Sequence, residues 1–132
     1  MFENFDFTKN QIEKYFAAAL KDWRLANKTK EPELAFYACY NVVVKTAMAV
    51  CSCHGIRVKS RTGHHIKLIE KLAEFLEDEN IEIVANKMRM KRNRDLYDGG
   101  VLVSEKEANY YINFCKDLLN KADYHIFPDK LL

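Results

Sequence analysis

Apolar residues recur along this chain with helical spacing. Ile12, Tyr15, Phe16, Ala19, Trp23 and Ala26 form one stripe, opened by TKNQ at 8–11, a capping-box pattern. Polar NKTKEPE interrupts it and places Pro32 in the first turn of a second helix over 32–54. That helix, LAFYACYNVVVKTAMAVC, is apolar nearly all round and should be central. Its interior polar residues, Asn41 and Lys45, lie one turn apart and read as a polar edge or a bonded pair. The chain is short for wrapping such a helix unaided, so a second copy is expected to close part of it. Gly55 ends this helix, and the basic loop GIRVKSRTGHH carries Arg57, Lys59 and Arg61.

A third helix over 64–78 follows from the stripe Leu68, Ile69, Leu72, Phe75 and Leu76. His65 shares that stripe and His64 lies at its margin. A histidine so placed is more often a satisfied core residue than a catalyst. A fourth helix spans 80–97. SEKE at 104–107 repeats the capping-box pattern and opens a fifth helix, to 122, with stripe Ala108, Tyr111, Ile112, Cys115, Leu118, Leu119 and Ala122. The aromatic tail DYHIFPDKLL should pack back on the rest. The pattern predicts a single all-α domain over 1–132, an up-and-down bundle of four to five helices.

Composition narrows the function. Hydrophobic residues at 48% and charged residues at 30% mark an ordinary globular chain, and two prolines favour long helices. A net charge of +2 is too small for nucleic-acid binding through bulk charge, so phosphate recognition would need local clustering. No signal peptide or membrane span is read, and a cytoplasmic protein is expected. Four cysteines in apolar surroundings fit a reducing compartment. In CSCH, Cys51 and Cys53 point roughly 200° apart on a helix and cannot grip one ion together. Neither a metal nor a cofactor is expected.

The fourth helix carries the unusual chemistry. Its stripe Ile81, Val84, Ala85 and Met88 continues, at about 100° per residue, into Arg92, Asp95 and Leu96. Lys87, Lys91 and Arg94 share another side and read as a solvated basic strip, with Arg89 at the border. An arginine on a core face stays charged and needs a reason. One reason is an Arg92–Asp95 ion pair plugging the end of the core. Another is a cation held rigidly at the mouth of a cleft to receive an anion such as phosphate. Asn93 and Tyr97, one turn apart, add a donor and an acceptor at the same helix end.

Taken together, AFYACYNVVVKTAMAV, Gly55, the basic loop, GHHIKLIEKL, MKRNRDLYDGG and SEKEANYYINFCKDLL resemble the HEPN family (higher eukaryotes and prokaryotes nucleotide-binding) over most of the chain. The resemblance implies an all-α fold, a homodimer and a place in toxin–antitoxin, defence or RNA-processing systems, often beside a partner nucleotidyltransferase. Many members are metal-independent ribonucleases. Their signature is Arg, a polar residue, then His a few positions on. Arg92-Asn93 fits, but Tyr97 stands where the histidine belongs, and Gly99 where some toxins carry a modifiable tyrosine. A tyrosine is a poor general base near neutrality.

Two main readings follow. One is a binding module for RNA, a nucleotide or a partner nucleotidyltransferase, centred on Arg92-Asn93 with Arg89, Asp95, Arg57, Lys59 and Arg61. The other is an active ribonuclease using Arg92, Asn93, Tyr97 and an imidazole from His64 or His65. A non-catalytic scaffold is the third.

Overall fold

In the computed structural model, the described residues are 2–59, 63–98 and 102–131, with the side chains of 95–98, 130 and 131 outside them. They form β1 (Phe2–Asn4), α1 (Lys9–Lys28), α2 (Pro32–Cys53), β2 (Ile56–Val58), α3 (His64–Leu76), α4 (Glu79–Asp98), α5 (Glu105–Ile126) and a closing 3₁₀ turn, Pro128–Leu131. The chain is a helical bundle with a small antiparallel ribbon, in which Phe2 faces Val58 and Asn4 faces Ile56. Those strands were not expected. At three residues each, they are too short for a period of two to show against helical neighbours.

The helix starts follow from their caps. Thr8 and Gln11 exchange both capping-box hydrogen bonds at the head of α1. Ser104 caps α5 by accepting from the Glu107 N–H. The Glu107 carboxylate, which a capping box would turn back, instead accepts from Lys91 Nζ at 3.1 and 3.2 Å and ties α5 to α4. Lys91 is therefore a cross-helix tie and not part of a free basic strip.

α2 is the central element, packed against α1, α3, α5 and β2. Among its buried residues Phe36, Cys39, Val42, Val43, Ala47, Ala49 and Val50 are fully enclosed. Asn41 is exposed, while Lys45 pairs with Asp22 of α1 at 2.6 Å and not with Asn41. One chain thus covers most of α2, while Leu34 stays exposed and Tyr37, Val44 and Met48 are only partly buried. By length and composition alone α2 is apolar enough to cross a bilayer, with a mean hydropathy of 1.5 over its best window. In the fold 61% of that window is buried, so its apolar surface is used in packing.

Trp23 Nε1 donates to the Ile112 carbonyl at 3.0 Å, joining α1 to α5. The tail packs back as expected, with Phe127 edge-on to Phe16. Cys39, Cys51 and Cys115 are buried, whereas Cys53, in the last turn of α2 and read from its apolar surroundings as buried, is exposed. On α4, Ile81, Val84, Ala85 and Met88 are all buried. This anchors the register that carries Arg89 and Arg92 toward α2 and α3.

Candidate anion-binding cleft

α2 ends at Cys53 with His54 as its C-cap, and Gly55 takes a left-handed φ of 70° that turns the chain into β2. The chain returns as α3, whose N-cap is Gly63 with φ 69°. Glycine has no side chain with which to cap the first turn, so the N-terminal amides of α3 keep their attraction for an anion. Immediately inside that turn stand His64 and His65.

The N-cap Gly63 and His64, His65 and Ile66 from α3, with Arg89 and Asn93 from α4, line one cavity of about 550 Å³. Arg89 and Asn93 lie four residues apart and so share a face of α4. Asn93 is exposed, and Arg89 Nε donates to Asn86 Oδ1 at 3.2 Å, which holds the guanidinium in place. Arg92 is half-buried, with its guanidinium carbon 5.3 Å from the centre of the Tyr40 ring. Arg92 thus meets the quadrupole of an aromatic face on α2, a contact compatible with partial burial of charge. The side chain of Asp95, its suggested partner, lies outside the described residues, as do that of Tyr97 and the whole of Arg61.

Tyr40 is the residue that sequence reasoning missed. It is 1% exposed, yet its hydroxyl oxygen lies 2.8 Å from His65 Nδ1. The signal was there: a phenol in an otherwise apolar helix must bring its oxygen to a partner. Burial pushes the Tyr40 hydroxyl up, although Arg92 and Arg89 pull the other way. It therefore stays protonated at neutral pH. Burial, then the neighbouring His64, Arg92 and Arg89, hold His65 below the usual histidine range, so the ring is neutral at pH 7.

Two tautomers satisfy the Tyr40–His65 contact, and they do different chemistry. With the tyrosine hydroxyl donating to Nδ1, His65 carries its proton on Nε2 and offers a donor to a phosphate oxygen. With Nδ1–H donating to the phenol oxygen, Nε2 is a free lone pair and can take a proton from a hydroxyl.

The other basic residues fall elsewhere. Arg57 bonds Glu3 through Nε at 2.6 Å and lies 4.0 Å over the Phe5 ring, on the ribbon rather than in the cleft. Lys59 is exposed at the end of β2. A second histidine pair, also missed, sits at the opposite end of α2. His54 stacks on Phe75 with ring centres 3.8 Å apart, and its Nε2 is 2.7 Å from Nε2 of His125. Two imidazole nitrogens at that distance share one proton. Burial and His125 together lower the pKa of His54.

The sign of the pH dependence follows. His54 and His65 both titrate below their ordinary 6.5 in the folded chain. Below pH 6.5 the unfolded chain takes up protons that the folded one refuses, and stability falls until the lower folded values are passed. The urea midpoint should be lower at pH 5.5 than at pH 7.5. Replacing His54 and His65 by Gln should flatten that difference, and an unchanged slope would contradict these assignments.

Comparison with family models, with curated proteins and with solved structures finds no match for this chain. The functional reading therefore stands on the cleft itself.

Proposed function

We propose that this chain is a HEPN-type protein that binds RNA or a nucleotide by its phosphates at the α3–α4 cleft. The observation that carries the reading is the convergence of His64, His65, Arg89 and Asn93 on one cavity, with Arg92 half-buried beside it. Arg89, two imidazoles at the α3 N-terminus and the Asn93 amide make a donor-rich, carboxylate-free lining among the described residues, with Arg92 a second cation beside it, which suits a phosphodiester. Phosphate contacts supply affinity without sequence preference, and the affinity falls steeply with salt. The test is fluorescence anisotropy of a labelled decauridylate at two salt concentrations. Saturable, salt-sensitive binding supports the reading, and flat anisotropy at high protein concentration removes it.

A second reading, the metal-independent ribonuclease, is favoured by one feature. His65 brings a neutral imidazole into the field of Arg92 and Arg89, supplying from α3 the group that Tyr97 does not. Under that reading, the purified protein cleaves RNA in the presence of chelator and His65→Gln loses at least about 100-fold in rate. Binding without cleavage by the wild type restricts the cleft to recognition.

The homodimer and the partner nucleotidyltransferase implied by the resemblance belong to the same proposal, as does a toxin–antitoxin or defence setting. Exposed apolar residues that a dimer could cover are Leu34 on α2 and Ile83 and Met90 on one face of α4. A monomer by light scattering at micromolar concentration removes that part.

A further inference from the structure

His64 has two sides. It lines the cleft, and it also lines a smaller, separate cavity of about 310 Å³ beneath the N-terminal ribbon. The walls of this second cavity include Phe5, Phe7, Tyr15 and Met48, with Arg57 beside them. Phe5 and Phe7 have ring centres 4.7 Å apart, and Phe7 meets Tyr15 at 6.0 Å. All three rings are half-buried rather than enclosed, so part of each aromatic surface stays accessible. They are also built in place. The β1–β2 pairing and the Phe5 N–H, which donates to the Gly55 carbonyl at 2.9 Å, anchor the segment that carries Phe5 and Phe7. Tyr15 comes from α1.

Core packing does not require three half-exposed rings around an opening that adjoins a donor-rich cleft. Single-stranded nucleic acid does, because it is gripped by cations along its backbone and by aromatic faces on which bases stack. The two cavities supply these elements on either side of one histidine. Arg57 lies over Phe5, held there by its ion pair with Glu3, and adds a planar guanidinium face beside the rings.

We infer that the Phe5–Phe7–Tyr15 cavity is a nucleobase subsite, taking the base of a nucleotide whose phosphate sits against His64, His65 and Arg89. This rests on the phosphate cleft proposed above, and it adds the substrate class: single-stranded chains bearing unpaired bases. It also gives Arg57, which lies outside the cleft, a place at the base.

The test compares two labelled probes of equal length and charge, a decaadenylate and a decamer of abasic sugar-phosphate. The wild type should bind the base-bearing probe about 10-fold or more tighter than the abasic one, the scale of one or two stacked bases. Phe7→Ala and Tyr15→Ala, each checked for native helicity, should bring the base-bearing probe down to the abasic level and leave abasic binding unchanged. Equal wild-type affinity for the two probes overturns the base subsite while leaving the phosphate cleft standing. That comparison needs no variant to fold. A preference for the base-bearing probe that survives both substitutions also overturns the subsite. Binding of neither probe overturns the cleft itself and the inference with it.

Discussion

The double variant Arg89→Ala/Arg92→Ala should lose at least about 100-fold in affinity for single-stranded RNA at low salt while remaining folded. A charge-assisted hydrogen bond to phosphate is worth roughly 1.5–3 kcal/mol, about 10- to 150-fold each, and the two guanidinium groups lie one turn apart on α4. The salt dependence should flatten with them, since each neutralised phosphate contributes to the slope. Folding should survive because both groups are only half-buried. Arg92 gives up a cation–π contact worth about 0.5–1 kcal/mol where partly exposed, and Arg89 a bond to Asn86. Loss of several kcal/mol of stability with RNA binding intact would instead identify Arg92 as a plug at the end of the core. Unchanged binding and unchanged stability would leave the cleft without a function.

Tyr40 separates the structural role of a ring from the chemical role of its hydroxyl. Tyr40→Ala removes a nearly enclosed aromatic side chain from the central helix and should cost about 3–5 kcal/mol, the range for a large aromatic truncated in a core. Tyr40→Phe keeps the ring under Arg92 and should cost only about 0.5–1.5 kcal/mol, because half-buried His65 can turn its Nδ1 to water. The hydroxyl should nevertheless matter to function. Without it the imidazole is no longer fixed, and the nitrogen-15 shifts of His65, which report the tautomer, should move toward the free mixture. Urea unfolding and imidazole spectra of the two variants check both halves. Equal stability losses, or imidazole shifts untouched by Tyr40→Phe, would contradict this reading of the pair.

These residues also show where sequence alone stops. The stripes of α1, α3 and α5 and the all-round apolarity of α2 are periodic over several turns, so tertiary packing reinforces them and the elements stand as expected. The α4 face was legible through Met88, and its continuation correctly put Arg92 on the inward side. What Arg92 meets there was not legible, because Tyr40 is 52 positions away in the chain and only the packing of α4 beside α2 joins them. Periodicity put His65 on an apolar stripe and favoured a core histidine. In the fold it does have a satisfied nitrogen, through Tyr40, and its ring still lines the cleft. Glu107 shows the converse, since its capping role is local and plausible, yet Lys91 from another helix takes the carboxylate.

Not every cavity suits an anion. The space of about 590 Å³ between α4 and α5 is lined by Asp78 and Asp117, and Lys121 there is already paired to Asp78 at 2.6 Å. Phosphate would meet carboxylates in that cavity, and the ion pair would have to open to receive it. The α3–α4 cleft carries no such opposing charge among its described lining residues.

The central claim is that this cleft receives phosphate groups, and the most direct measurement is residue-resolved. Nuclear magnetic resonance of the labelled chain titrated with unlabelled decauridylate reads every amide and the histidine rings together. The largest shifts should fall on His64, His65, Arg89 and Asn93, with the His65 ring among them. Shifts centred on the Asp78–Lys121 cavity, or no shifts at saturating RNA, would contradict the account.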